Sequence, residues 1–371
     1  MTGTAVVFWL CPRAWRAPFL ILVTLAFLIV VDWRSAAILA ALTLATQRLT
    51  RGPVLSGWRT VLALLPSAAV LLSFKLLSTW RGDDIFTGTL IPLGLSYYTL
   101  RAMHFVLERY KGRIDEKDPL ALTAYLFFLP TILVGPIHRF PPFERDSRRQ
   151  RWSAAMVSEG LERILYGYVK IAVLGNLLVS QVFAGWAADQ APPESALALY
   201  LLMLQIGFNL YFQFAGYSDI AIGFARLLGF RVMENFDRPF LQKNISDFWR
   251  CWHISLTSWA REYVYGGVVS LSRSPALAAL ATLVAIGLWH EISLRYLLWG
   301  CYHGAGIVIW QRLQPLWRRF PAVQQPALRG MIDAASILLT LHFVLLGFLL
   351  VRQPDVAAMA ATAERLLFSW L

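Results

Sequence analysis

The chain has 371 residues, 57% of them hydrophobic and only 15% charged, with a mean hydropathy of +0.54; about a quarter of the residues in a soluble domain are charged, so an ordinary soluble fold is excluded. The formal charge of +12 does not mark a nucleic-acid binder, which would gather its basic residues on one solvated face. Here the basic residues fall between apolar runs of ~20 residues, the length that crosses a bilayer as a helix.

None of these runs shows the two-residue alternation of a membrane barrel, so the expected class is an all-α polytopic membrane protein. The basic clusters are Arg48 with Arg51 and Arg59, Arg139 to Arg151, Arg226 to Arg250, and Arg312 with Arg318 and Arg319. The connections Arg81 to Asp84 and Ala187 to Glu194 are poor in basic residues, which places the basic loops in the cytoplasm.

In chain order, Ala17 to Thr46 reads as two spans with a polar break at Asp32 to Arg34, the first a retained span. Trp58 to Trp80 and Leu90 to Leu107 are the next two. LTAYLFFLPTILVGPIHRF contains Pro130, Gly135 and Pro136, so a broken or re-entrant helix is expected. Leu161 to Trp186 crosses outward, APPES turns, and Ala196 to Leu228 returns with Gln205, Asn209 and Gln213 on one face. Gly229 to Ser274 holds pieces too short and polar for ordinary spans. Ala276 to Trp289 and Leu297 to Gln311 form a hairpin, and final runs start near Ile332 and Val356. This amounts to about eleven membrane segments in a single domain, residues 1–371, with a core at about 90–311 and no internal repeat.

Three of the six histidines, His253, His290 and His303, lie between Asn244 and Gly304. An ionisable group at membrane depth must be paired, hydrated or used. His290 ends an apolar helix beside Glu291 and is either a general base for an attacking hydroxyl or a helix-end cap. Trp249, Arg250 and Trp252 around His253 form an aromatic and cationic wall, although Arg250 is equally suited to snorkelling. Gly300, Gly304 and Gly306 around His303 permit close helix approach. Gln213 and Asp219 are supporting candidates, with orientation of an arginine or of backbone amides the simpler role for Asp219. His104, His138 and His342 are isolated and structural. Cys11, Cys251 and Cys301 have no metal or disulfide spacing, HExxH is absent, and no metal is expected.

The pieces PLGLSYYTL (Pro92 to Leu100), FFLPTILVGPIHRF (Phe127 to Phe140), FAGYSDIAIG (Phe214 to Gly223), NFDRPF (Asn235 to Phe240), NISDFWRCWHISLTSWAREYVY and LWHEISLRYLLWGCYHG together resemble the membrane-bound O-acyltransferases. Within that family they resemble the bacterial branch that acylates alginate and teichoic acid. The resemblance implies that His290 is the catalytic histidine and His253 the second signature position. It also implies a helical ring around a funnel or tunnel, with an acyl thioester entering from the cytoplasm. Two departures stand out: Glu291 occupies the place where the bacterial branch has glycine, and the IPLGG-type insert after REYVY is absent.

The expected function is therefore transfer of an acyl group, acetyl from acetyl-CoA, across a bacterial inner membrane to a polysaccharide. The donor is a substrate and no cofactor is held; membrane lipid and an SGNH-type periplasmic protein are the expected partners, with no nucleic acid. His303, Asp219 and Arg250 would support His290 and His253. The alternatives are a D-alanyl or longer acyl group from a carrier protein, a lipid alcohol acceptor, and an inactive scaffold. A proton-coupled transporter or flippase is the rival from another class; inverted repeats would favour it, and the sequence shows none.

Overall fold

The structure is a computed structural model and describes residues 2–52, 54–81, 92–115, 118–192, 195–319 and 325–369. Parts of the connections at Arg81 to Asp84 and Ala187 to Glu194 lie outside the described residues. Among the described residues every regular element is a helix, apart from one isolated bridge between Phe236 and Trp252. Among the described residues, five helices are long and apolar enough to cross a membrane. The chain divides into two compact units, Met1–Gly167 with Tyr217–Glu234, and Tyr168–Gly216 with Asn235–Leu371.

The first unit begins with α1 (Thr2–Leu10), α2 (Arg13–Leu49) and α3 (Gly57–Arg81). α2 leaves helical geometry at Asp32, where φ is −158°. Its carboxylate accepts from the Ser35 hydroxyl and from Arg34, so the expected polar break is a kink held by its own side chains. α4 (Leu95–Tyr110) and α5 (Pro119–Leu126) follow, and then comes the interrupted segment. Only a short 3-10 turn, Leu129–Thr131, lies between α5 and α6 (Phe140–Arg149).

Backbone carbonyls freed by such a break need partners inside an apolar fold. Arg101, fully buried on α4, donates to the carbonyls of Tyr125 at 3.1 Å and Leu126 at 3.2 Å. The Tyr125 hydroxyl donates to the His138 carbonyl at 2.7 Å, and His138 Nδ1 lies 3.0 Å from the Thr131 hydroxyl. His104 Nε2 accepts from the Phe140 amide at 3.1 Å. His104 and His138 are thus hydrogen-bonded into the interrupted segment.

α7 (Ala154–Gln190) is unbroken, although Val169–Phe183 is wound as a π-helix. α8 runs Ala196–Leu227. In the first unit their ends cross at two glycines. A Cβ at Gly160 would lie 2.9 Å from the Gly223 carbonyl oxygen, and one at Gly223 would lie 2.6 Å from that of Gly160. The small-residue contact brings Arg163 within 2.8 Å of Asp219 and Arg226 within 2.9 Å of Glu159.

In the second unit the polar stripe of α8 meets the π-wound part of α7. Asn209 donates to the Ser180 hydroxyl at 2.6 Å and the Gly175 carbonyl at 3.2 Å, and Gln213 donates to Asn176 at 2.6 Å. α9 (Ile245–Cys251) and α10 (Ile254–Ala260) are short, as expected. α10 passes through a π-turn, Arg261–Tyr265, straight into α11 (Gly266–Ser272), yet among the described residues of Gly229 to Ser274 no helix qualifies as a membrane span, as expected. Gly266 and Gly267 keep helical geometry, so the GG pair does not end the helix.

α12 (Pro275–His290) and α13 (Leu294–Arg319) form the predicted hairpin. α14 (Pro326–Val351) starts six residues before the expected Ile332, because Pro326 sits at its first turn, where a missing N–H is tolerated. α15 (Val356–Phe368) closes the described chain, capped by Asp355, which accepts from the Ala358 amide at 2.7 Å.

Candidate active site

His290 owes its position to the ends of its helix. The Ser274 hydroxyl caps α12 by accepting from the Leu277 amide at 3.2 Å, and Pro275 occupies the first turn. At the other end the backbone turns extended at Glu291, with φ −151°, so His290 is the last helical residue. Only residues 291–293 separate it from α13, which forces an antiparallel return.

That return is close because glycines face backbone. A Cβ on Gly300 would sit 2.7 Å from the Leu283 carbonyl oxygen, and one on Gly304 would sit 3.0 Å from Leu280 Cα. The Tyr296 carbonyl occupies the space a side chain on Gly287 would need. The glycines around His303 thus do what their spacing suggested.

The hairpin carries half-buried His290 and fully buried His303, joined by Trp299. The Trp299 ring centre lies 5.9 Å from that of His290 and 4.6 Å from that of His303. Trp249 on α9 closes a triangle with them, 5.6 Å from Trp299 and 5.2 Å from His303. On the other side Trp289 lies 4.9 Å from His290 and 6.0 Å from His253. The three histidines of the sequence argument are therefore threaded through two tryptophans, Trp289 and Trp299, that the sequence argument did not single out. Their signal was available, since Trp289 stands beside His290 and Trp299 four residues before His303.

His253 is buried, packed edge-on against Phe214 at 4.7 Å, and takes the left-handed conformation with φ 44°. A non-glycine residue rarely holds that geometry unless its neighbours impose it. Asn235 imposes it here. Its carbonyl accepts from the Ile254 amide at 2.9 Å, and its side-chain oxygen accepts from the Ser255 hydroxyl at 2.8 Å. The NFDRPF piece thus sets the entry to α10.

Five ring nitrogens of the cluster are buried without a hydrogen-bonding partner among the described residues: both of His303, Nε2 of His253, and the indole nitrogens of Trp249 and Trp299. Leaving such a group unpaired costs about 1–3 kcal/mol. Two indoles can only donate, and an imidazole supplies one donor and one acceptor. The set is therefore rich in donors and suited to an oxygen acceptor such as a carbonyl.

The remaining candidates stand elsewhere or are engaged. The Glu291 carboxylate accepts from Arg295 at 2.9 Å, one turn along. Arg250 is exposed and pairs with Asp247 at 2.8 Å. Trp252 packs on Phe236 at 5.1 Å and on Phe348 at 5.1 Å. Gln213 is paired with Asn176, and Asp219 lies in the first unit with Arg163. Burial, reinforced by Asp237 and Asp247, pushes the Cys251 thiol above its ordinary value, which argues against a thiolate nucleophile there. Among the described residues no three His, Cys, Asp or Glu side chains gather as a metal site.

A model of the membrane-bound O-acyltransferase family matches residues 17–349. The chain is 31% identical over 229 residues to a probable alginate O-acetylase of Pseudomonas aeruginosa, covering 61% of this chain and 44% of that protein. It is 29% identical over 271 residues to a teichoic acid D-alanyltransferase of Bacillus subtilis, 69% of this chain and 67% of that one. With a peptidoglycan O-acetyltransferase of Helicobacter pylori the identity is 26% over 321 residues, 77% and 58%. The chain spans under half the length of the alginate O-acetylases it matches.

Proposed function

This chain belongs to the membrane-bound O-acyltransferase family, and we propose that it moves an acyl group from a thioester to hydroxyls of an exported or cell-surface polysaccharide. The donor in this reading is acetyl-CoA, the site is a bacterial inner membrane, and an SGNH-type periplasmic protein completes the transfer. The observation that carries the reading is the ring cluster, which gathers His290, His253 and His303 in one unit of a multi-pass membrane protein.

In this mechanism neutral His290 takes the proton of an attacking hydroxyl as its oxygen bonds to the thioester carbonyl carbon. The carbonyl electron pair moves onto oxygen, where the indole N–H groups of Trp299 and Trp249 are the available donors. As the carbonyl re-forms, the carbon–sulfur bond breaks, and the proton held by His290 passes to the departing sulfur. Ester and free thiol are the products. His253, reached through Trp289, orients the thioester.

Release of free thiol from acetyl-CoA by the purified protein in nanodiscs tests the reading. Activity in the wild type and its loss in folded His290→Ala support it; an active His290→Ala overturns His290 as base. The greater share of chain covered by the teichoic acid D-alanyltransferase favours a second reading, with a carrier-bound D-alanyl donor. A wild type inert toward acetyl-CoA but active with that donor would select it.

A further inference from the structure

The second unit contains a cleft that the ring cluster does not use. Ile309, Leu313 and Leu316 of α13 oppose Leu339 and Phe343 of α14 across a space of about 520 Å³, within the ~300–1,000 Å³ of small-molecule sites. Phe343 packs directly onto Gly306 at the floor, where a Cβ would lie 2.6 Å from its ring. Toward the start of α14 the lining becomes polar. Lys243, Asn244 and Ser336 border both this space and an adjoining one of about 240 Å³, to which Gln314, Arg329 and Asp333 are added.

Trp310 and Trp317 border both spaces, at the change from apolar to polar lining. Indoles favour that kind of boundary in a membrane protein. From Phe343 to Arg329 the cleft follows α14 for roughly 21 Å at 1.5 Å per residue, more than the ~15 Å depth of one leaflet's hydrocarbon. Its length therefore suits a whole lipid, from chain end to headgroup. The mouth holds two cations against one carboxylate: Lys243 pairs with Asp333 at 2.6 Å, and Arg329 is exposed.

We propose that this cleft binds a phospholipid, with one acyl chain between α13 and α14 and an anionic headgroup at Arg329 and Lys243. Arg329 supplies the selectivity, because the charge of Lys243 is shared with Asp333. Basic pockets between membrane helices select anionic headgroups in this way. Phe343 at the inner end packs edge-on against His303, ring centres 5.6 Å apart, but the proposal rests on Arg329 and Lys243 at the mouth and does not depend on the acyl-transfer reading.

Native mass spectrometry of the delipidated protein in detergent tests it, with dioleoylphosphatidylglycerol and dioleoylphosphatidylcholine as probes. The wild type should bind the anionic lipid more tightly than the zwitterionic one. Arg329→Gln should weaken the anionic lipid by about fivefold, from the typical worth of one basic residue at an anionic headgroup, and leave the zwitterionic lipid unchanged. Asp333→Asn frees Lys243 and should strengthen the anionic lipid by a similar factor. Leu313→Trp fills the cleft and should weaken both lipids. Glycerol 3-phosphate, a headgroup without chains, should not bind. Equal binding of the two lipids to the wild type, or indifference of the anionic lipid to both charge substitutions, overturns the proposal. The charge substitutions lie at the polar mouth and decide the matter even if Leu313→Trp does not fold, and no readout requires acyl transfer.

Discussion

Replacing Gly300 with alanine tests whether contact between α12 and α13 sets the geometry of the ring cluster. The new Cβ would lie 2.7 Å from both the Leu283 carbonyl oxygen and Val284 Cα, where ordinary contact begins at 3.4 Å. Those are backbone atoms of α12 and cannot swing aside, so the helices must part by about 0.7 Å. Overpacking of this kind costs about 1–3 kcal/mol, offset by ~0.5–1 kcal/mol because alanine suits a helix interior better than glycine. A net loss of about 0–2.5 kcal/mol is expected. The shift falls between His290 on α12 and Trp299 and His303 on α13. A displacement approaching 1 Å in a reacting constellation lowers rate by up to ~100-fold, and a loss of about tenfold or more is expected here. Thermal unfolding in detergent and thiol release from the acyl donor measure the two effects. Gly267→Ala is the control, because nothing lies within 4 Å of its Cβ position, and it should be neutral or stabilising. If Gly300→Ala were as stable and as active as Gly267→Ala, the contact would not govern the cluster.

Three further substitutions probe the surrounding architecture. Arg101→Met should destabilise by about 1–3 kcal/mol for each carbonyl it leaves unpaired, Tyr125 and Leu126. Arg101→Lys should recover only part of that, and an unchanged melting temperature for Arg101→Met would show that the broken segment does not depend on the arginine. Arg163→Ala removes the cation beside buried Asp219 and should cost about 2–3 kcal/mol, the lower end for a broken buried pair because Arg163 is partly solvated. Adding Asp219→Asn should restore part of the melting temperature, and a double variant less stable than the single one would contradict the pairing. Glu291→Gln breaks the pair with Arg295, at about 0.2–1 kcal/mol for partly exposed ions, and should leave thiol release nearly unchanged. A loss of rate matching that of His290→Ala would instead tie Glu291 to the base.

The polar stripe of α8 shows how a sequence pattern can be right about a face and silent about what meets it. Gln213 and Asn209 share one side of the helix, as a 3.6-residue period requires, yet they meet Asn176, Ser180 and the Gly175 carbonyl on α7. Asp219 is similar: a carboxylate in an apolar helix needs a partner wherever it lies, and the crossing at Gly160 and Gly223 provides Arg163.

The sequence alone determined the helical membrane class, the break at Asp32, the interruption around Pro130 and Gly135, and the hairpin ending at His290. These follow from apolar run length, from proline and glycine, and from capping residues, all of which act within a few positions of one another. That His253, His290 and His303 are candidates was legible too, because ionisable groups in apolar surroundings are exceptional. Tertiary structure alone decided that Trp289 and Trp299 join the three histidines, that Asn235 holds His253 in its left-handed turn, and that Arg101 serves the broken segment. The contacts that decide them join residues 9 to 36 positions apart: His290 with Trp299, Asn235 with Ile254, Arg101 with Tyr125, and His253 with Trp289. Local pattern fixes which way a side chain faces along its own helix, whereas the group it meets is set by how the helices pack.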